Sequence, residues 1–163
     1  MSKNKKIIFI ASTGGHLSEL LQLSDLFKKY EYLLVTEKTK NNLHLKEKYN
    51  TKFLMAGTKS HPFRYFFVCL VNPIKSLFYF LKFKPDVVIT TGAHTSVPMC
   101  FIAHLFKKKV IYIETMANRH TKTMTGKMLY KIADHFVVQW EEMKELYPKA
   151  KYGGLIYWWY LYV

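Results

Sequence analysis

Six short apolar runs, Ile7–Ser12, Tyr32–Thr36, Phe53–Met55, Asp86–Thr90, Val110–Glu114 and His135–Trp140, recur along the chain with other patterning between them. They are apolar on both faces, the pattern of strands buried on both sides of a parallel sheet. The segments between them, Leu17–Lys28, Pro62–Phe83, Val97–Phe106, Thr125–Ala133 and Glu141–Tyr147, carry helical spacing. Strand–helix alternation of this kind requires a parallel sheet with helices on both faces, so the predicted fold class is α/β. In such sheets ligands bind beyond the carboxyl ends of the strands. The candidate positions are therefore Thr13 to His16, Glu37, Thr91 to Thr95, Glu114 to Arg119 and Gln139 to Glu141. A chain of 163 residues is long enough to bury a real core, and a single domain over 1–163 is expected.

The first run opens into Ala11-Ser12-Thr13-Gly14-Gly15-His16-Leu17-Ser18-Glu19-Leu20. Two glycines ahead of a helix let the backbone approach a ligand closely, and the first helical N–H groups can then meet an anion or a hydroxyl. The loop has neither the GKS/GKT ending of a P-loop nor the G-x-G-x-x-G spacing of a dinucleotide fold. Glu37 does stand at the end of the second run, where a dinucleotide fold places its ribose-binding acid. A nicotinamide-dependent enzyme therefore stays open at this point. His16 has two readings, a packing residue at a helix start or a reactive-site residue. A second glycine turn, Thr90-Thr91-Gly92-Ala93-His94-Thr95, follows the fourth run, and Glu114 ends the fifth. Glu114 is either a functional carboxylate or a solvated strand end.

Half of the residues are hydrophobic and the formal net charge is +14, which excludes disorder and suits an anionic partner. The lysines are spread among apolar helices rather than gathered in a nucleic-acid-binding motif, so no nucleic acid is expected. Cys69 and Cys100 lie in apolar surroundings and read as buried free thiols in a reducing compartment. No acidic pair or Cys/His spacing suits a metal, and no bound metal is expected. Met1 to Lys6 leads into a run too short for a secretory h-region, so a cytoplasmic location is expected.

From Lys48 to Pro85 the chain has no aspartate or glutamate. A membrane-spanning helix needs about 20 mostly apolar residues, and Asn72-Pro73 and Lys75 interrupt this stretch. Asn72 as N-cap and Pro73 at the first helical position instead predict two short helices. Rich in Phe and Tyr and flanked by cations, these suit the membrane interface, with Arg64, Phe66, Phe67, Lys75, Phe78, Phe80 and Lys82 as contacts. The aromatics packing under the sheet is the alternative. The tail at about 158–163, with Trp158, Trp159 and Leu161, is apolar enough to mark a contact surface.

Taken together, ASTGGHLSELLQL, KPDVVITTGAHTSVP, KKVIYIET, ADHFVVQWEE and GGLIY resemble the oligosaccharide-biosynthesis family that contains PssD and CpsF of bacterial polysaccharide synthesis and the ALG-fourteen subunit of N-glycan assembly. The pattern is more distantly similar to the N-terminal half of MurG. The resemblance runs from Lys6 to about Tyr157 and implies a Rossmann-like half of a GT-B glycosyltransferase divided between two polypeptides. This half would hold a lipid-linked saccharide acceptor at the cytoplasmic face of the membrane, peripherally, in capsule or exopolysaccharide synthesis. The UDP-sugar donor would sit mainly on a separate PssE/CpsG-like subunit, with no cofactor held by this chain alone. His16 is then the candidate base and Glu114 its orienting group or an acceptor-sugar ligand. Thr13, Gly14, Gly15, Gly92, His94, Thr95 and Asn118 complete the candidate substrate-binding set, and the aromatic tail would dock the partner. A stand-alone nucleotide-dependent enzyme and a basic nucleic-acid-binding protein are the competing readings.

Overall fold

The structure, a computed structural model, describes residues 5–57 and 62–156. Trp158, Trp159 and Leu161, and the side chain of Arg64, lie outside the described residues.

Strands β1 (Lys6–Ala11), β2 (Glu31–Lys38), β3 (Thr51–Met55), β4 (Val87–Gly92), β5 (Lys109–Ile113), β6 (His135–Val138) and β7 (Lys151–Tyr152) form one sheet in the order β3-β2-β1-β4-β5-β6-β7. Every neighbouring pair is parallel. The first crossovers step outward from β1 through β2 to β3, and the chain then returns to β4 on the other side of β1. The junction of β1 and β4 is therefore the point where the winding reverses, and there the loops beyond the strands diverge to leave a crevice.

Strand β1 shows why its sequence is uniformly apolar. Ile8 and Ile10 belong to a core with Val35, Val88, Met99, Val110 and Tyr112. Ile7, Phe9 and Ala11 belong to the opposite core with Leu17, Leu20, Phe27 and Leu34. Helix α1 (Gly15–Leu21), followed by a 3-10 turn over Ser24–Lys28, replaces the single helix expected over Leu17–Lys28. Short helices α2 (Leu45–Lys48), α5 (Met124–Leu129) and α6 (Met143–Leu146) and the longer α4 (Val97–Leu105) complete the covering with α3 (Pro62–Phe83).

Helix α3 runs unbroken from Pro62 to Phe83, with Pro73 inside it. This corrects the expectation of two helices capped at Asn72. Asn72 is buried, and its amide accepts from the Met55 N–H at 2.9 Å and donates to the Met55 carbonyl at 3.0 Å. One and two turns on, Lys75 Nζ and the Tyr79 hydroxyl both reach the Phe53 carbonyl, at 3.4 and 3.0 Å. The helix thereby occupies the backbone edge of β3, which would otherwise be free for pairing with another chain. Val68, Asn72, Ser76 and Phe80 form a buried stripe that continues through the proline, and this docking outweighs the local stop signal.

The same docking corrects two site expectations. Phe80 is only 3% exposed and packs against Phe106 at 5.2 Å between ring centroids, so it is a core residue and not a membrane contact. Cys69 is exposed, unlike Cys100, whose buried thiol is pushed far above its ordinary pKa by desolvation. The outward face of α3 is another matter. Phe63 is 85% exposed, and Phe66, Phe67, Leu70, Ile74, Leu77, Phe78 and Leu81 continue the line down to the last turn. Intervals of three and four residues place them on one face. By length and composition Tyr65–Phe83 is long and apolar enough to cross a membrane, although its other face is spent on the sheet.

Candidate functional site

The crevice at the β1/β4 junction is built from two glycine turns. Gly14 holds φ +86° and Gly92 φ +101°, backbone values that a side chain makes costly. The space above Gly14 and Gly15 is open, with nothing within 4 Å of where a Cβ would stand. His16, in the first turn of α1, places Nδ1 at 2.8 Å from the Thr91 carbonyl oxygen. A carbonyl only accepts, so the bond assigns the proton to Nδ1 and leaves Nε2 of the neutral ring with its lone pair. Thr91 also donates its hydroxyl to the His16 carbonyl at 2.6 Å, fixing the residue at both ends. A Cβ on Gly92 would lie 3.3 Å from the His16 ring and 3.8 Å from the Tyr112 hydroxyl. Gly92 is thus the thin spacer that lets the histidine settle against β4.

Glu37 closes one side. It is buried at the end of β2, where its carboxylate accepts from the Thr95 hydroxyl and from the Thr13 N–H at 3.3 Å, with His94 Nε2 at 3.8 Å. Both oxygens bond the chain's own loops, so that Glu37 ties the two glycine turns together. Next to them a cavity of about 190 Å³ lies between α3 and α4, lined by Tyr65, Val68, Asn72, His94, Thr95 and Met128 among others.

On the other side Glu114 is 1% exposed, so it is not a solvated strand end. Oε1 accepts from the Tyr112 hydroxyl at 3.0 Å and the Thr115 N–H at 3.1 Å. Oε2 accepts from the Tyr147 hydroxyl at 2.9 Å, and the Thr123 hydroxyl lies 2.9 Å from both oxygens. A carboxylate offers about four lone-pair sites, and internal donors take them. The expectation that Glu114 orients His16 directly or holds a sugar is corrected on that ground. Burial and the glutamate's charge push the Tyr112 and Tyr147 hydroxyls well above the ordinary tyrosine range, so both remain donors.

Glu19, one helical turn beyond His16, was missed. It is 3% exposed, and Oε1 accepts from the Thr115 hydroxyl at 2.8 Å and the Met116 N–H at 3.0 Å. Oε2 has no partner among the described residues. Desolvation pushes this carboxyl above its ordinary range, against the lowering by its bonds to Thr115 and Met116. The folded state therefore holds the proton more tightly than the unfolded one. Stability linked to Glu19 is greatest below the ordinary glutamate pKa of about 4.3 and falls as pH rises through the raised folded value. Glu19→Gln keeps the Oε1 acceptor and buries no charge. It is expected to flatten this decline, so that the variant's stability relative to wild type is higher at about pH 8 than at about pH 4, read by denaturation at the two values.

The structure thus brings Thr13, Gly14, Gly15, His16, Gly92, His94 and Thr95 to one crevice, with the strand-end candidates Glu37 and Thr91 as internal supports. Asn118 stands apart in the loop after β5, accepting from the Thr121 hydroxyl at 3.0 Å. Acids at strand ends and one turn after a histidine were visible signals, but what they bond was not. Among the described residues no group of three or more His, Cys, Asp or Glu side chains gathers as for a metal.

A family model described as "Oligosaccharide biosynthesis protein Alg14 like" matches residues 6–156. The mouse (Mus musculus) UDP-N-acetylglucosamine transferase subunit ALG14 is 28% identical over 179 residues, covering 93% of this chain and 82% of its own. The Candida albicans protein of the same name is 27% identical, covering 96% and 83%. Among solved structures, Acinetobacter baumannii MurG superposes with a TM-score of 0.67 at 18% identity, over 85% of this chain and 42% of MurG. The Rickettsia bellii UDP-N-acetylglucosamine 2-epimerase gives 0.67 at 17%, over 88% and 41%. The chain thus spans about two fifths of the length of these solved proteins. At such identities the likeness establishes the fold, a Rossmann-like α/β sheet similar to one half of a GT-B glycosyltransferase.

Proposed function

This chain belongs to the Alg14-like family of oligosaccharide-biosynthesis proteins, and from that membership we propose that it is the acceptor-side, membrane-associated subunit of a two-component nucleotide-sugar glycosyltransferase. The observation that carries the proposal is a near full-length match to proteins named as transferase subunits. The donor is a UDP-sugar, with N-acetylglucosamine favoured by the relatives' names, and it sits on a PssE/CpsG-like partner chain. The acceptor is a lipid-linked saccharide at the cytoplasmic face of the membrane. The resemblance to PssD and CpsF favours a product in capsule or exopolysaccharide synthesis.

In this reading His16 Nε2 takes the proton of the acceptor hydroxyl as that oxygen bonds to the anomeric carbon. The bond from that carbon to the diphosphate oxygen breaks, and UDP leaves with the electron pair. A positioned base of this kind contributes about 10²–10⁴-fold. Thr13, Gly14, Gly15, Gly92, His94 and Thr95 line the acceptor crevice, and Asn118 contacts substrate from the β5 loop. Glu37, Thr91, Glu19 and Glu114 are positioning residues. The exposed stripe of α3 meets the membrane, as an apolar face bordered by lysines would, and the segment with Trp158, Trp159 and Leu161 docks the partner.

Co-expression with the donor-side chain tests the subunit role. The tagged chain is expected to bring the partner down and to sediment with membranes. Phe66→Ser/Phe67→Ser is expected to keep the partner but shift most of the complex to the soluble fraction. A chain that ignores the partner counts against the subunit reading, and a double variant still fully on membranes counts against the role of α3.

A further inference from the structure

At the outer edge of β3, away from the crevice, lies a second cavity of about 380 Å³, and its charged lining is entirely lysine: Lys38, Lys46, Lys52, Lys75 and Lys82. They come from four elements, the end of β2, α2, β3 and the outer half of α3. None of the five forms an ion pair among the described residues. The rest of the lining is Phe53, Phe78 and Tyr79. Lys46 lies over the Phe53 ring at 5.5 Å and Lys82 over Phe78 at 5.9 Å, and Lys75 is steadied by the Phe53 carbonyl. Gathering like charges around a concavity is unfavourable unless an anion neutralises them, and several ammonium groups on one centre suit a phosphate better than a carboxylate.

Phe78 belongs to the cavity and to the exposed apolar stripe of α3 at once. A phosphate seated among the lysines would therefore have its apolar body beside Phe78, Ile74 and Leu81. We propose that this cavity binds the phosphate headgroup of an anionic lipid, with a terminal phosphomonoester as the best fit. The proposal rests on the membrane-facing reading of α3. It adds recognition of a particular headgroup to the general attraction of lysines to anionic membranes, which is worth roughly 1 kcal/mol per residue whatever the headgroup.

The test uses the full chain with phosphatidylcholine vesicles doped with phosphatidic acid or, at matched surface potential, with phosphatidylserine. Wild type is expected to bind the phosphatidic acid vesicles about tenfold more tightly. Lys46→Gln/Lys52→Gln, off the α3 stripe, is expected to lose that preference while still binding phosphatidylserine vesicles. Lys144→Gln/Lys149→Gln, on exposed positions elsewhere, is expected to keep it. Equal binding to both vesicles, with both variants alike, overturns the headgroup site and leaves the membrane reading standing. No binding to either vesicle overturns the membrane reading and the proposal with it. Inorganic pyrophosphate bound in solution by wild type and not by Lys46→Gln/Lys52→Gln, without any preference between vesicles, assigns the cavity to a soluble phosphate and overturns the lipid source.

Discussion

Gly126→Ala is expected to lower stability by about 2–4 kcal/mol, combining overpacking with buried bonds pushed out of reach. A Cβ at this position would stand 2.2 Å from Glu114 Oε2, 2.3 Å from the Tyr147 hydroxyl and 2.8 Å from Thr123 Oγ1. Side-chain ends can usually swing aside, but these three hold one another. Tyr147 and Thr123 both donate to Glu114, and Thr123 also accepts from the Gly126 N–H at 2.9 Å as the N-cap of α5. Moving any of them leaves a buried polar group without its partner. For a chain of this size the loss corresponds to a fall in Tm of about 4–16 °C. Gly15→Ala is the control, because its added Cβ meets nothing within 4 Å. Equal melting of the two variants would show that the cluster is looser than its hydrogen bonds imply.

His16→Ala is expected to reduce sugar transfer by the assembled enzyme by about 10²–10⁴-fold while leaving folding and partner binding intact. The ring lies half-buried at the surface of the crevice, so its removal opens no core cavity. Gly92→Ala provides an independent approach to the same ring. The added methyl would crowd His16 at 3.3 Å at a backbone φ of +101°, displacing Nδ1 from the Thr91 carbonyl. Both variants should lose turnover with little change in membrane association. Full activity in His16→Ala, with Gly92→Ala impaired, would move the base elsewhere in the crevice.

The parallel sheet was legible because its strands are apolar on both faces, and six of the seven could be placed from that alone. The two-residue β7, with both residues exposed, carries no such pattern. Helix α3 misled for a physical reason. Asn72-Pro73 is a local stop signal, and nothing in the local sequence reveals that the asparagine amide is committed to Met55 across the edge of β3. Without that docking, Phe80 cannot be told from Phe78, although one is in the core and the other in solvent. The site was legible as a set of strand ends, since topology brings those together whatever their side chains do. The acids were not. Glu37, Glu19 and Glu114 all stand at strand ends or one turn from His16, but only the fold shows that they bond Thr13, Thr95, Thr115, Tyr112 and Tyr147.

In the proposed function this chain supplies the acceptor half of an active site completed by another polypeptide. The decisive test is transfer of labelled sugar from a UDP-sugar to membrane lipid, assayed with this chain alone, the donor-side chain alone and both together. Product is expected only with both chains, with near-complete loss when the chain carrying His16→Ala replaces wild type. Turnover by this chain alone, or undiminished turnover by the donor-side chain without it, would overturn the divided active site.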